Sequence, residues 1–133
     1  MTNRKKENAL ILSQEEIASG IFSLWLKTEA AGQARPGQFI SMYTNDGSRL
    51  LPRPISICEI GRGREALRVV YRVTGPDTGT ELFSRMKAGD VIPVIGPLGN
   101  GFPMERAEGK RVFLIGGGIG VPPILELAKQ LNC

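Results

Sequence analysis

The chain has 133 residues, of which 41% are hydrophobic and 23% charged, enough apolar content for about one ordinary globular domain, with no apolar run of membrane-spanning length. Histidine is absent, which excludes a Ser-His-Asp triad, a Cys-His dyad, a histidine proton shuttle and any histidine-containing metal cage. A net charge of +4, scattered arginines and only 6% aromatics argue against a nucleic-acid stacking platform, while a few arginines suit a phosphorylated small molecule.

Two cysteines, Cys58 and Cys133, make neither a disulfide framework nor a four-thiolate site. The basic run Arg4, Lys5, Lys6 precedes only a short apolar stretch at 9–12 and then Gln14, Glu15 and Glu16. That is not a signal peptide, so a cytoplasmic protein is expected. Glycine is the excess residue: 17 of 133 is about 13%, against roughly 7% on average, and it concentrates after position 75. Glycine clusters mark turns or places where backbone approaches a ligand closely.

In chain order, short apolar runs separated by turn residues predict strands at 9–13, 21–27, 38–43, 55–60, 66–73 and 90–95, the spacing of an antiparallel barrel or sandwich. Turns are supplied by Pro36-Gly37, Asn45-Asp46-Gly47 and Gly61-Arg62-Gly63. One helix interrupts the strands at 80–86, its face of Leu82, Phe83 and Met86 set to lie over a barrel end. From Gly109 the pattern changes. A continuous apolar run at 111–115 predicts a strand, followed by Gly116, Gly117, Gly118, Ile119, Gly120 and an apolar helix from about Pro122 to Leu131, the opening of a parallel α/β unit. The expected organisation is therefore a β-barrel domain over 1–108 and the incomplete start of a nucleotide-binding α/β domain over 109–133.

Four motifs bear on chemistry. Arg53-Pro54-Ile55-Ser56 sets a planar cationic fork, suited to a pyrophosphate, beside a hydroxyl that can donate or accept at a polar ring edge; a surface arginine before an ordinary strand reads the same way. Gly79-Thr80 opens the short helix, where free N–H groups favour an anion, although a plain helix cap uses the same residues. The run Gly96-Pro97-Leu98-Gly99-Asn100-Gly101-Phe102 is a shaped turn whose expected role is structural. Gly118-x-Gly120-x-x-Pro123, after an apolar run and before a helix, has the context of a dinucleotide phosphate loop. Phe22, Trp25 and Tyr71 are large enough to stack on a ring but sit on strands, where aromatics usually fill the core, and Cys58 reads as a buried, inert thiol.

Taken in order, RPIS at 53–56, VYR at 70–72, GT at 79–80, KAGD at 87–90, GPLGNGF at 96–102 and GGGIGVPP at 116–123 resemble the ferredoxin-reductase-like flavoproteins over nearly the whole chain. Pro54-Ile55, where general members carry an aromatic, is similar to the electron-transfer subunits of bacterial NAD-linked dihydroorotate dehydrogenases. The resemblance implies a six-stranded antiparallel Greek-key barrel that binds FAD, then a domain for NAD, then a cysteine-rich segment holding a [2Fe-2S] cluster. It implies an oxidoreductase subunit that works with a catalytic FMN-type dihydroorotate dehydrogenase subunit in pyrimidine biosynthesis. By that likeness Arg53 pairs with the FAD pyrophosphate and Ser56 with the flavin ring edge. Val70, Tyr71 and Arg72 line the cofactor groove, Gly79 and Thr80 receive phosphate, and Gly116, Gly117, Gly118 and Gly120 approach the nicotinamide nucleotide. No general base is required, and no metal ligand is assigned in this chain. The sequence departs from the family in ending at Cys133, so the expectation is FAD binding with an incomplete NAD site and none of the cluster cysteines. Two rivals remain: a reductase subunit serving a hydrogenase, a sulfide dehydrogenase or a ferredoxin:NADP oxidoreductase, and a flavin-free barrel that binds protein only.

Overall fold

The computed structural model describes residues 6–44, 52–76 and 78–132. Six strands close into an antiparallel barrel in the order β1-β2-β5-β4-β3-β6: β1 Lys6–Ala18, β2 Ile21–Lys27, β3 Phe39–Met42, β4 Arg53–Ile60, β5 Ala66–Arg72 and β6 Val91–Leu98. Each expected strand of the barrel is present. The turn expected at 45–47 and Cys133 lie outside the described residues.

β1 runs five residues beyond its predicted end because it serves two neighbours in succession. Lys6–Leu10 pairs with β6, and Leu10–Ala18 pairs with β2 across two register shifts. Polar side chains at Gln14, Glu15 and Glu16 hide this from a search for apolar alternation, since this half of β1 has little core to face. Closure gives every strand a neighbour on each side and encloses a core of Ile11, Leu24, Leu26, Ile40, Met42, Ile57, Leu67, Val69, Tyr71, Ile92 and Val94, all essentially without solvent contact. Burying one such side chain contributes about 1.5–3 kcal/mol. Ile57 and Ile60 both join this core although three residues apart, because Cys58 is the extra residue of a bulge between the Ile57–Val69 and Glu59–Arg68 pairs.

Two helices complete the fold, α1 at Gly79–Ser84 and α2 at Pro122–Leu131. α1 closes one end of the barrel, with Phe83 in the core and edge-on to Tyr71. The loop 96–102 is structural. Gln38 Nε2 donates to Gly99 O at 2.8 Å, and a Cβ at Gly37, where φ is +93, would fall 2.9 Å from the Phe102 backbone nitrogen.

One expected element is not formed. Residues 111–115 take no place in a ladder among the described residues, and Phe113 and Ile115 are 81% and 92% exposed. A strand exists only through a neighbour's backbone, and none of the described residues supplies one beside this run. The glycine loop beyond it contains a 3₁₀ turn, Gly118–Gly120, and α2 then packs back onto β4. Among the described residues no helix is long and apolar enough to cross a membrane.

Candidate functional site at the barrel end and outer face

Arg53 begins β4 opposite Met42, a core residue, so its side chain leaves the strand at the rim of the barrel where α1 lies. There it packs across the helix start. A Cβ built on Gly79 would sit 3.2 Å from Arg53 Nε and 3.3 Å from its Cγ, so any larger residue at 79 would press the guanidinium away. Nε is buried with no hydrogen-bond partner among the described residues. The half-buried side chain thus lies with its guanidinium beside the first turn of α1. The first backbone N–H groups of any helix lack intrahelical partners and favour an anion.

α1 is only six residues long, and side chains hold it at both ends. Thr78, not Gly79 or Thr80, is the N-cap, its hydroxyl accepting from Glu81 N–H at 3.3 Å. The Thr80 hydroxyl is buried and occupied: it accepts from the Thr74 N–H at 3.0 Å and meets the Thr74 and Thr78 hydroxyls at 3.1 Å each. Thr80 is thus a structural pin whose backbone, rather than its hydroxyl, faces the site. At the other end Gln14 Nε2 donates to the carbonyls of Phe83 and Met86 at 2.9 and 2.7 Å, satisfying the helix C-terminus.

Gln14 links this helix to Tyr71, whose hydroxyl donates to Gln14 Oε1 at 2.5 Å. Tyr71 is 1% exposed and stacked on Phe22, and burial pushes its phenol pKa up. Its side chain therefore lies inside the barrel and does not line a groove. It braces α1 from within. The alternation of β5 sends Val70 and Arg72 outward instead.

On that outer face Ser56 is exposed and pairs across the sheet with Phe39; one step beyond the Ile57–Val69 pair, it sits opposite Val70. Pro54 is exposed and Ile55 half-buried against the core. Arg53 and Ser56 are three residues apart on an extended strand, roughly 10 Å along its axis and on opposite faces, so β4 presents a cation at the barrel rim and a hydroxyl on the outer face. Cys58 shares this face but is buried outside the core cluster, and burial raises its thiol pKa. It is inert packing.

The Gly118–Gly120 turn touches β5 and so reaches the same outer face. Gly117, Gly118 and Gly120 have nothing within 4 Å of an added Cβ, and only Gly118 needs its glycine for backbone reasons, at φ +57. Gly116 differs: a Cβ there would meet Ile124 Cδ1 at 2.9 Å and Gly120 O at 3.1 Å. Pro122 and Pro123 open α2 and take two N–H donors from its first turn, and the Gly120 and Val121 N–H groups already donate to Gly117 O and Gly118 O at 3.0 and 3.2 Å. The structure thus brings together Arg53 with Gly79 at the barrel end, and Ser56, Val70 and the glycine turn on the outer face.

No protein-family model matches the chain. Its curated relatives are electron transfer subunits of dihydroorotate dehydrogenase B (NAD(+)); that of Streptococcus mutans is 46% identical over 127 residues, which cover 95% of this chain and 48% of the relative. Over the residues matched, the chain is similar to these subunits. It spans about half the length of the curated relatives it matches. Among solved structures, the cytochrome P450 reductase GcoB of Amycolatopsis shares the fold, with a TM-score of 0.80 at 24% identity over 96% of this chain and 39% of that one. An NADH-dependent reduced ferredoxin-NADP oxidoreductase follows with a TM-score of 0.77 at 28% identity, over 93% of this chain and 44% of the other.

Proposed function

We propose that this chain is the FAD-binding part of an electron-transfer protein that passes electrons between NAD and a partner flavoprotein oxidising dihydroorotate to orotate. The observation that carries this reading is the Arg53 guanidinium lying across the start of α1 through the space that Gly79 leaves, with Nε buried and unpaired among the described residues. A bidentate cation beside helix-start N–H groups is the donor set a diphosphate needs.

FAD fits these residues. Arg53 and the backbone of Gly79 and Thr80 would hold the diphosphate, Ser56 would meet the polar ring edge, and Pro54, Val70 and Arg72 would border the ring and its chain, with Ile55 turned to the core. When bound, FAD supplies a carrier that takes two electrons as hydride and releases them singly. The protein's own work is to bind, orient and shield; none of its side chains need carry a proton. Residues 109–133 read as the opening of the NAD-binding unit, with Gly116, Gly117, Gly118 and Gly120 as the nicotinamide-nucleotide loop. The open space around three of these glycines supports close approach of a ligand there. Among the described residues no three metal-ligating side chains come together.

A second reading, a reductase subunit for a ferredoxin-linked complex, draws on the 28% identical oxidoreductase. The identities of 42–46% to the dihydroorotate subunits favour the first.

The test is reconstitution. The purified chain, mixed with FAD and passed through gel filtration, is expected to keep one flavin per chain by its visible absorbance. Arg53→Ala should weaken binding by about 1.5–3 kcal/mol, the worth of a hydrogen bond to a charged group. A folded chain that never retains flavin overturns the proposal. Adding dihydroorotate with its dehydrogenase, or reduced ferredoxin, then separates the two readings by which one reduces the flavin.

A further inference from the structure

Glu126 is a charged residue buried to 5% exposure on the inner side of α2, and no motif explains it. Its Oε1 accepts the backbone N–H of Ile60 at 2.7 Å, and its Oε2 accepts from Gln130 Nε2 at 2.8 Å. That amide needs a partner because β4 is longer than β3. β3 pairs only with Arg53–Ser56, and the last bond on that edge runs from Ile57 N to Gln38 O at 3.0 Å. Gly61 N donates to Ala66 O on the opposite edge, so the N–H of Ile60, one residue earlier, points to the side that β3 has left. Glu126 takes the place of the missing strand.

The carboxylate also ends a chain of charges. Lys129 Nζ lies 3.6 Å from Glu126 and 3.3 Å from Glu59; Glu59 meets Arg68 at 2.9 Å, and Arg68 Nε donates to Ser23 at 2.8 Å. These contacts join α2 to β4, β5 and β2. Among the described residues the run 111–115 pairs with no strand and is largely exposed, so no ladder fixes the glycine loop that follows it. The loop's position is set from its other side, by the helix it leads into. Glu126 stands six residues beyond Gly120, about 9 Å along a rigid helix.

We propose that Glu126 is the positioning residue that pins the glycine loop over the outer face of β4 and β5, so that a nucleotide at Gly117–Gly120 faces the ring-edge end of the barrel site. This rests on the proposed function for its purpose, but its test does not. Amide hydrogen exchange on the full chain, with and without FAD, is compared for wild type, Glu126→Ala and Glu126→Gln. In Glu126→Ala the amides of Ile60 and of α2 should exchange about tenfold faster or more, as one lost hydrogen bond to a charged group implies, while those of β1, β2 and β5 keep their rates. Glu126→Gln, which retains an acceptor oxygen, should restore most of the protection. FAD affinity should be the same in all three. Uniform acceleration across the barrel, unchanged protection of α2, or no rescue by glutamine would each overturn the pin. A wild-type chain that fails to hold FAD would overturn the proposed function and leave the exchange comparison intact.

Discussion

The two glycine-bearing loops that lead into helices differ in what makes them glycine. At Gly79 the demand comes from inside the protein, since the Arg53 side chain occupies the space a Cβ would need and α1 is fastened at both ends by Thr74, Thr78, Thr80 and Gln14. At Gly117 and Gly120 none of the described residues fills the space, and the flanking run carries exposed Phe113 and Ile115. The first glycine is set by packing within the barrel, whereas the second loop lies open.

This contrast is easiest to break through stability. Leu67→Ala, in the closed core, should cost about 2–5 kcal/mol in chemical denaturation, whereas Ile115→Ala should stay within about 0.5 kcal/mol. Comparable losses at the two positions would mean that the C-terminal run is packed as firmly as the barrel. Next in size is Tyr71→Phe, which leaves the Gln14 carboxamide oxygen short of its buried donor. A loss of about 1–3 kcal/mol is expected, with FAD affinity falling as α1 loosens. Unchanged stability and affinity would show that Tyr71 does not brace the helix. Smaller still is the glycine pair inside one loop. Gly116→Ala should perturb α2 by pressing on Ile124 and the Gly120 carbonyl, and Gly117→Ala should leave circular dichroism, melting and FAD binding as they were. If both substitutions are silent, the loop is not shaped by its own packing.

How much of this could be read beforehand follows the same division. The strands were legible because β2, β3, β5 and β6 bury an apolar face with period two, and α1 because Leu82, Phe83 and Met86 share a side. The Arg53-to-Ser56 motif was legible as a set of donors. What could not be read is which way a neighbour turns: Tyr71 lies between Val70 and Arg72 in sequence but on the opposite face in space. Thr80 looked like a phosphate hydroxyl until Thr74 and Thr78 claimed it. Gln14 and Glu126 were invisible because each satisfies a backbone group more than 60 residues away in the chain, a relation no local pattern encodes. The predicted strand at 111–115 has strand composition and finds no partner strand among the described residues.

The central claim is that the Arg53 guanidinium and the start of α1 act as a single site for a diphosphate. A double-mutant cycle on FAD affinity tests it most directly, with Arg53→Ala, Gly79→Ala and the two combined, each checked for an intact fold by circular dichroism. Because a methyl at 79 acts by displacing the arginine, the double variant should bind FAD no more weakly than Arg53→Ala alone. Losses that simply add, or an Arg53→Ala chain that binds FAD as tightly as wild type, would contradict the account.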